Sequence, residues 1–180
     1  MLFSYRDCIK KFGTDYRIKK EIQSEKLFMK EKGIYSDKRF VSELDIIVMK
    51  YPKAIITLNS AFYYYGLTDT IPDYYYMATS KGSRKITDRR IKQIFDNTDG
   101  FELGRTTIDY DGTFIPIYNK ERLLIELIRN KRKFAFDLYK ELIVSYREII
   151  HNLDMELISD YAYSLPKTNM VMETLQLEVL

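Results

Sequence analysis

The chain has 180 residues, of which 46% are hydrophobic and 14% aromatic, with four Pro and seven Gly, a composition that excludes a disordered chain and suffices for one medium domain or a compact domain with a small appendage. A single cysteine, Cys8, excludes an internal disulfide or a thiolate metal cluster and points to a reducing compartment. The net charge of +3 excludes little, but residues 1–39 hold eleven Lys or Arg against six Asp or Glu, whereas 40–180 hold eighteen against twenty. That distribution fits a small nucleic-acid-binding head on a near-neutral body, and a solvated basic surface would give it too. The opening stretch MLFSYRDCIKKFG breaks its apolar positions with charge, and no later apolar run is long enough to span a bilayer. A cytoplasmic protein without a membrane segment is therefore expected.

Residues 4–12 are predicted to be a helix, with Ser4 as N-cap, Asp7 as its capping-box partner and Gly13 as the stop. A second helix begins after Thr14. In it Ile18 and Ile22 share one face, so Tyr16, Lys20, Gln23 and Ser24 turn away from the core, flanked by Arg17 and Lys19. The apolar runs 27–29 and 34–35 around Lys30-Glu31-Lys32-Gly33 predict a hairpin, Gly33 supplying a positive φ. Two helices and a basic hairpin are the order of a winged helix. A small packing appendage with solvated lysines would show the same pattern.

Val41, Leu44, Ile47 and Val48 predict a helix over 40–51, ended by Pro52 and joining head to body. A β-branched run over 54–57 predicts a strand, and Asn59 or Ser60 is expected to cap a following helix that Gly66 ends. A strand over 74–78 leads into a polar connection, 80–90, whose Lys81, Arg84, Lys85, Arg89 and Arg90 read more simply as a solvated loop than as a phosphate contact. Another strand is predicted over 91–95, and 105–110 with 113–118 pair as a hairpin across Asp111-Gly112. Beyond Asn119 the chain turns helical. Leu123, Leu124, Leu127 and Ile128 form an apolar face, and Arg122 and Glu126 are expected to pair on the surface for a few tenths of a kcal/mol, roughly. Further helices are predicted over 136–150, 155–165 and 168–180. The expected fold class is α+β: a short N-terminal winged-helix-like head, 1–39, then a mixed α/β body, 40–180, with a small, mostly antiparallel sheet over 54–118 and a C-terminal helical bundle over 119–180.

Residues that could carry chemistry are sparse. His151 and Cys8, the single examples of their kinds, are far apart and give no zinc spacing. There is no Walker loop or glycine-rich fingerprint. Asp109, Asp111 and Glu121 could gather around magnesium as in a nuclease, but Asp111 is already explained by its turn and Glu121 by the first turn of a helix. The clusters Tyr63-Tyr64-Tyr65 and Tyr74-Tyr75-Tyr76 invite base stacking, yet three consecutive residues cannot all face one ligand, so packing is the simpler reading. No enzyme, metal or cofactor is expected.

Within TLNSAFYYYGLTDTIP, residues Ser60, Ala61, Phe62, Tyr63, Tyr64, Gly66, Leu67, Thr68, Asp69 and Pro72 resemble the "hetALyyhGLTD..P" junction of the AbiEi family, antitoxins of bacterial toxin-antitoxin pairs. Tyr65 stands where relatives often carry His. Lys32, Gly33, Ile34 and Tyr35 resemble the family's "kGvY" wing, and residues 121–129 its "eRtl.dlir" element, with Glu126 in place of the usual Asp. The resemblance implies an amino-terminal winged helix whose second helix enters the major groove with Tyr16, Arg17, Lys20 and Gln23, while Lys30 and Lys32 of the wing reach phosphates and Lys19 and Lys26 add electrostatic attraction. It implies as partners the operator DNA of its own operon and an AbiEii-type nucleotidyltransferase toxin, antagonised functionally, with a homodimer if the operator has paired half-sites. The family usually has one more helix before the pair; here three residues precede Ser4. The alternative of another class is a protein-interaction module whose body binds a partner directly and whose vestigial head touches no DNA.

Overall fold

The computed structural model describes residues 1–96 and 99–180 and divides into two compact units, Met1–Pro52 and Lys53–Leu180. The fold is α+β, and among the described residues no helix is long and apolar enough to cross a membrane.

In the first unit, β1 (Leu2–Ser4) leads into α1 (Tyr5–Phe12) and α2 (Asp15–Gln23), followed by the hairpin β2 (Phe28–Glu31) and β3 (Ile34–Ser36) and by α3 (Glu43–Lys50). The residues ahead of Ser4 thus form a strand, which completes an antiparallel sheet in the order β1-β3-β2. The expected start of α1 is present in full. Ser4 Oγ accepts from the Asp7 N–H at 3.2 Å, and Asp7 Oδ2 accepts from the Ser4 N–H at 3.0 Å. Gly13 ends α1 at φ 85°, and Thr14 caps α2 by accepting from the Arg17 N–H at 3.4 Å. Cys8, Ile18, Leu27 and Tyr35 form the buried core, with Phe3, Ile9, Phe12 and Ile22 packed on it. Helix α3 starts later than its periodicity suggests, because Ser42 Oγ caps it at the Asp45 N–H, 3.0 Å, and Phe40 stays exposed.

The second unit is built on β4 (Ile55–Ile56), β5 (Tyr75–Ser80), β6 (Ile91–Asp96), β7 (Arg105–Tyr110) and β8 (Thr113–Tyr118), in the order β6-β5-β4-β8-β7. The Asp111-Gly112 hairpin is in the expected register, with φ of 50° and 83° at the two turn residues. The rest of the sheet is mixed: β4 with β8 and β5 with β6 run parallel, through connections that wind helical or long polar segments between them. Around the sheet lie α4 (Leu58–Tyr64), α5 (Lys120–Arg129), α6 (Phe136–Ile149), α7 (Met155–Ser164) and α8 (Thr168–Thr174), the last continuing as a wider turn over Leu175–Val179.

Two expectations for this unit are corrected. Helix α4 is entered at Thr57 with no side-chain cap, so neither Asn59 nor Ser60 is its N-cap. Ser60 Oγ instead accepts from the Tyr76 N–H at 2.8 Å and donates to the Tyr74 carbonyl at 3.0 Å, tying the helix to the start of β5. Gly66 does adopt the left-handed conformation, φ 67°, after the helix.

The second correction concerns Arg122, which is 0% exposed rather than on the surface. Its Nε donates to Glu126 Oε1 at 3.0 Å and one terminal nitrogen donates to Asp96 Oδ2 at 2.9 Å. The other donates to the Gly100 carbonyl at 2.8 Å. The guanidinium lies 4.8 Å from the centroid of the Tyr118 ring, whose hydroxyl donates to the Phe101 carbonyl at 2.7 Å. Burial pushes the Tyr118 phenol pKa upward, against the opposing pull of Arg122. The chain before β7 passes so close that Gly104, at φ 75°, admits no side chain: a Cβ would stand 2.5 Å from Arg122 Cβ and 2.7 Å from Asn119 Oδ1.

Candidate nucleic-acid interface

Burying Ile18 fixes the rotation of α2, and the positions at i, i+3, i+4 and i+7 from Tyr16 then form one outward stripe: Tyr16, Lys19, Lys20 and Gln23. All are exposed, as is the flanking Arg17, and Tyr16 is 76% exposed. Four acids of the unit are drawn into internal contacts. Asp7 is held below the usual carboxylate range by the Ser4 hydroxyl and N–H, and Asp37 by the terminal amine, 2.5 Å away. Asp15 accepts from the Tyr5 hydroxyl, raising the phenol's pKa, and Glu31 pairs with Lys50 at 2.8 Å. The cations of α2 and its exit, Arg17, Lys19, Lys20 and Lys26, outnumber the acids of the same stretch, Asp15, Glu21 and Glu25, of which Asp15 is engaged by Tyr5; the surface is favourable to a polyanion.

The hairpin departs from expectation at Lys30. A bulge between Met29 and Glu31 re-aims this residue, whose Nζ donates to the Arg39 carbonyl at 2.5 Å and lies 5.2 Å from the Phe28 ring centroid. Lys30 thus braces the wing against the chain leaving β3. Lys32, at the tip beside Gly33 (φ 82°), and Lys26, between α2 and β2, are exposed. The Lys30 bond also brings Arg39, exposed and basic, to the wing. The Lys38-Arg39 pair was visible in the sequence as charge, but only the fold places it.

Among the described residues no cluster of three or more His, Cys, Asp or Glu could hold a metal. Asp109 Oδ1 accepts from the Gly112 N–H at 2.8 Å, and Glu121 Oε1 from the Asp154 N–H at 3.3 Å, so these acids serve the turn and the start of α7. Tyr64 packs on Tyr110, ring centroids 4.6 Å apart. His151 is exposed in a short turn after α6.

No family model and no curated protein matches the chain. Among solved structures, the crystal structure of the RV2827C protein from Mycobacterium tuberculosis is similar, with a TM-score of 0.67 over 98% of this chain and 71% of that one. The two sequences are 13% identical. At that identity the likeness shows a shared fold and nothing of activity.

Proposed function

We propose that the chain is an antitoxin of the AbiEi type, a cytoplasmic DNA-binding autorepressor whose body counteracts a nucleotidyltransferase toxin. The observation that carries the DNA-binding half is the stripe Tyr16, Lys19, Lys20 and Gln23 with Arg17, exposed on the second helix of a strand-helix-helix-hairpin unit. A helix so presented reads base edges with residues near its N-terminus, Tyr16, Arg17 and Lys20, while Lys19, Lys26 and Lys32 meet phosphates. The antitoxin half rests on the resemblance of residues 60–72 and 121–129 to the family's elements.

Two experiments test the halves separately. Arg17→Ala with Lys20→Ala is expected to weaken operator binding on the order of tenfold or more at low salt and to flatten its salt dependence, since about 0.9 counterion is released per phosphate contact. Unchanged binding in gel-shift titrations at two salt concentrations would sink the DNA-binding assignment. Co-expression with the neighbouring open reading frame tests the rest: toxicity of the neighbour alone, relieved by this protein, is expected, and a harmless neighbour counts against an antitoxin. A stable complex on co-purification would favour the direct-binding module instead.

A further inference from the structure

The five-stranded sheet ends in two edge strands, β6 and β7, and the two edges differ. Along β6 the preceding connection folds back: the Ile86 N–H donates to Gln93 Oε1 at 2.7 Å, and Gln93 Nε2 donates to the Arg84 carbonyl at 3.1 Å. Lys92, exposed on the same strand, adds a charge of the kind that keeps a further strand away. The β7 strand, RTTIDY over Arg105–Tyr110, has none of these guards. It holds no Lys or Pro, and its register with β8 runs without a bulge for all six residues.

The hairpin fixes which groups of β7 face that edge. Across the two-residue turn at Asp111-Gly112, Tyr110 and Thr113 exchange both main-chain bonds, and alternation assigns Ile108 and Thr106 to β8 as well. Thr107 and Asp109 therefore turn their N–H and C=O away from β8, and among the described residues no other element takes them. The side chains alternate in the same way. Thr106, Ile108 and Tyr110 are half-buried, Tyr110 against Tyr64, which leaves Arg105, Thr107 and Asp109 exposed on the opposite face.

On that face Arg105 and Asp109, opposite in charge, stand two positions to either side of Thr107. A strand with this pattern is complementary to an antiparallel copy of itself centred on Thr107. The two Thr107 residues would exchange both main-chain bonds, each Asp109 N–H would donate to the other copy's Arg105 carbonyl, and each Arg105 side chain would face the other copy's Asp109. A parallel partner in step, or an antiparallel one centred on Arg105 or Asp109, would instead set like charges side by side. The present contacts of these two side chains are exchangeable. Arg105 bonds Glu102 at 3.0 Å, an ion pair whose acid is 65% exposed, and Asp109 gives one of its two oxygens to the Gly112 N–H. Phe114 stands opposite Asp109 on β8 and is 69% exposed, so the stem of the second copy's Arg105 would also cover part of an apolar ring.

We infer that β7 is a docking edge for a second copy of this chain, joining two five-stranded sheets about a two-fold axis at Thr107. The pairing is isologous, so it uses up the edge and stops at two copies. It involves no residue of α2 and does not rest on the antitoxin reading. A contact of one strand pair gives a weak, salt-sensitive dimer. The test is sedimentation velocity of the full chain, without DNA, over a concentration series reaching about 0.5 mM, where the wild type is expected to shift from one copy to two. Arg105→Asp and Asp109→Arg each set like charges across the axis, and each variant alone is expected to stay monomeric. Mixed in equal amounts, the two restore both opposite pairs and are expected to form a one-to-one heterodimer, which neither a folding defect nor a role within the chain would produce. Thr107→Pro removes only an outward N–H and is expected to weaken the dimer about tenfold or more, with far-UV circular dichroism unchanged. The inference is overturned if the wild type stays monomeric throughout, if its dimer survives both Arg105→Asp and Thr107→Pro, or if the mixed charge variants stay monomeric.

Discussion

Arg122 shows what one side chain can hold together. Its guanidinium bonds Asp96, Glu126 and the Gly100 carbonyl while stacking on Tyr118, so removing it takes their shared cation from two carboxylates that are only 12% and 13% exposed. Breaking a buried pair in this way costs about 3–5 kcal/mol, far more than the few tenths expected for a surface pair. Arg122→Ala is expected to lower the denaturation midpoint of the second unit accordingly, and Arg122→Lys to recover only part of the loss, because an ammonium cannot reproduce the planar fork. A variant within about 0.5 kcal/mol of wild type in urea titrations would show that the network is dispensable.

At the scale of elements, the C-terminal turn Leu175–Val179 is fastened by Glu178. Its carboxylate takes the Lys131 ammonium on one oxygen and the Tyr139 hydroxyl, at 2.7 Å, on the other, while Arg147 Nε donates to the Glu178 carbonyl at 2.7 Å. Burial alone would raise the carboxyl's pKa, but Lys131 and Tyr139 outweigh it and hold the group below the ordinary glutamate value. A carboxyl lowered in the folded state contributes stability that is present above its unfolded value and is lost as the pH falls through the folded one. Thermal midpoints followed from about pH 5 to pH 3 should therefore decline less steeply in Glu178→Gln than in wild type. Parallel curves would remove Glu178 from the acid response.

The elements that could be read from sequence are those whose causes are local. The Ser4–Asp7 box, Gly13, Gly33, Gly66 and the Asp111-Gly112 turn each act within a few residues, and each is where the pattern places it. The outward stripe of α2 was legible for the same reason: Ile18 and Ile22 dictate its rotation. What escaped was set by distant partners. Arg122 is buried by segments 19 to 26 residues earlier, Ser60 is claimed by β5, and Lys30 by Arg39 across a bulge. The parallel pairing of β4 with β8 joins residues 56 and 117, which no local pattern announces.

At the scale of the whole molecule, the two units differ in how much core they own. The first buries seven hydrophobic side chains, Cys8, Ile18, Leu27, Ile34, Tyr35, Leu44 and Ile47, while the second buries a much longer series on its sheet and helices. Small cores are marginal, so the first unit is expected to open at lower denaturant than the second. Cys8 offers a direct readout. It is the one cysteine in the sequence and 0% exposed, with its thiol pKa pushed up by burial, so it should react with a thiol reagent only when the first unit opens. Labelling that rises before far-UV circular dichroism falls is the expected order. Coincident transitions would mean a single cooperative unit.

The arrangement around Arg122 bears on time as well as on equilibrium. Asp96 ends β6, Gly100 lies in the following loop, Tyr118 ends β8 and Glu126 is within α5, so the guanidinium can settle only after all four segments have assembled. Contacts completed last are absent from the folding transition state, and losing them accelerates unfolding while leaving refolding nearly untouched. Stopped-flow measurements on Arg122→Lys should place most of its loss on the unfolding limb. Arg122 would then govern how long a folded copy lasts before it opens to proteolysis, a lifetime encoded in one buried cation.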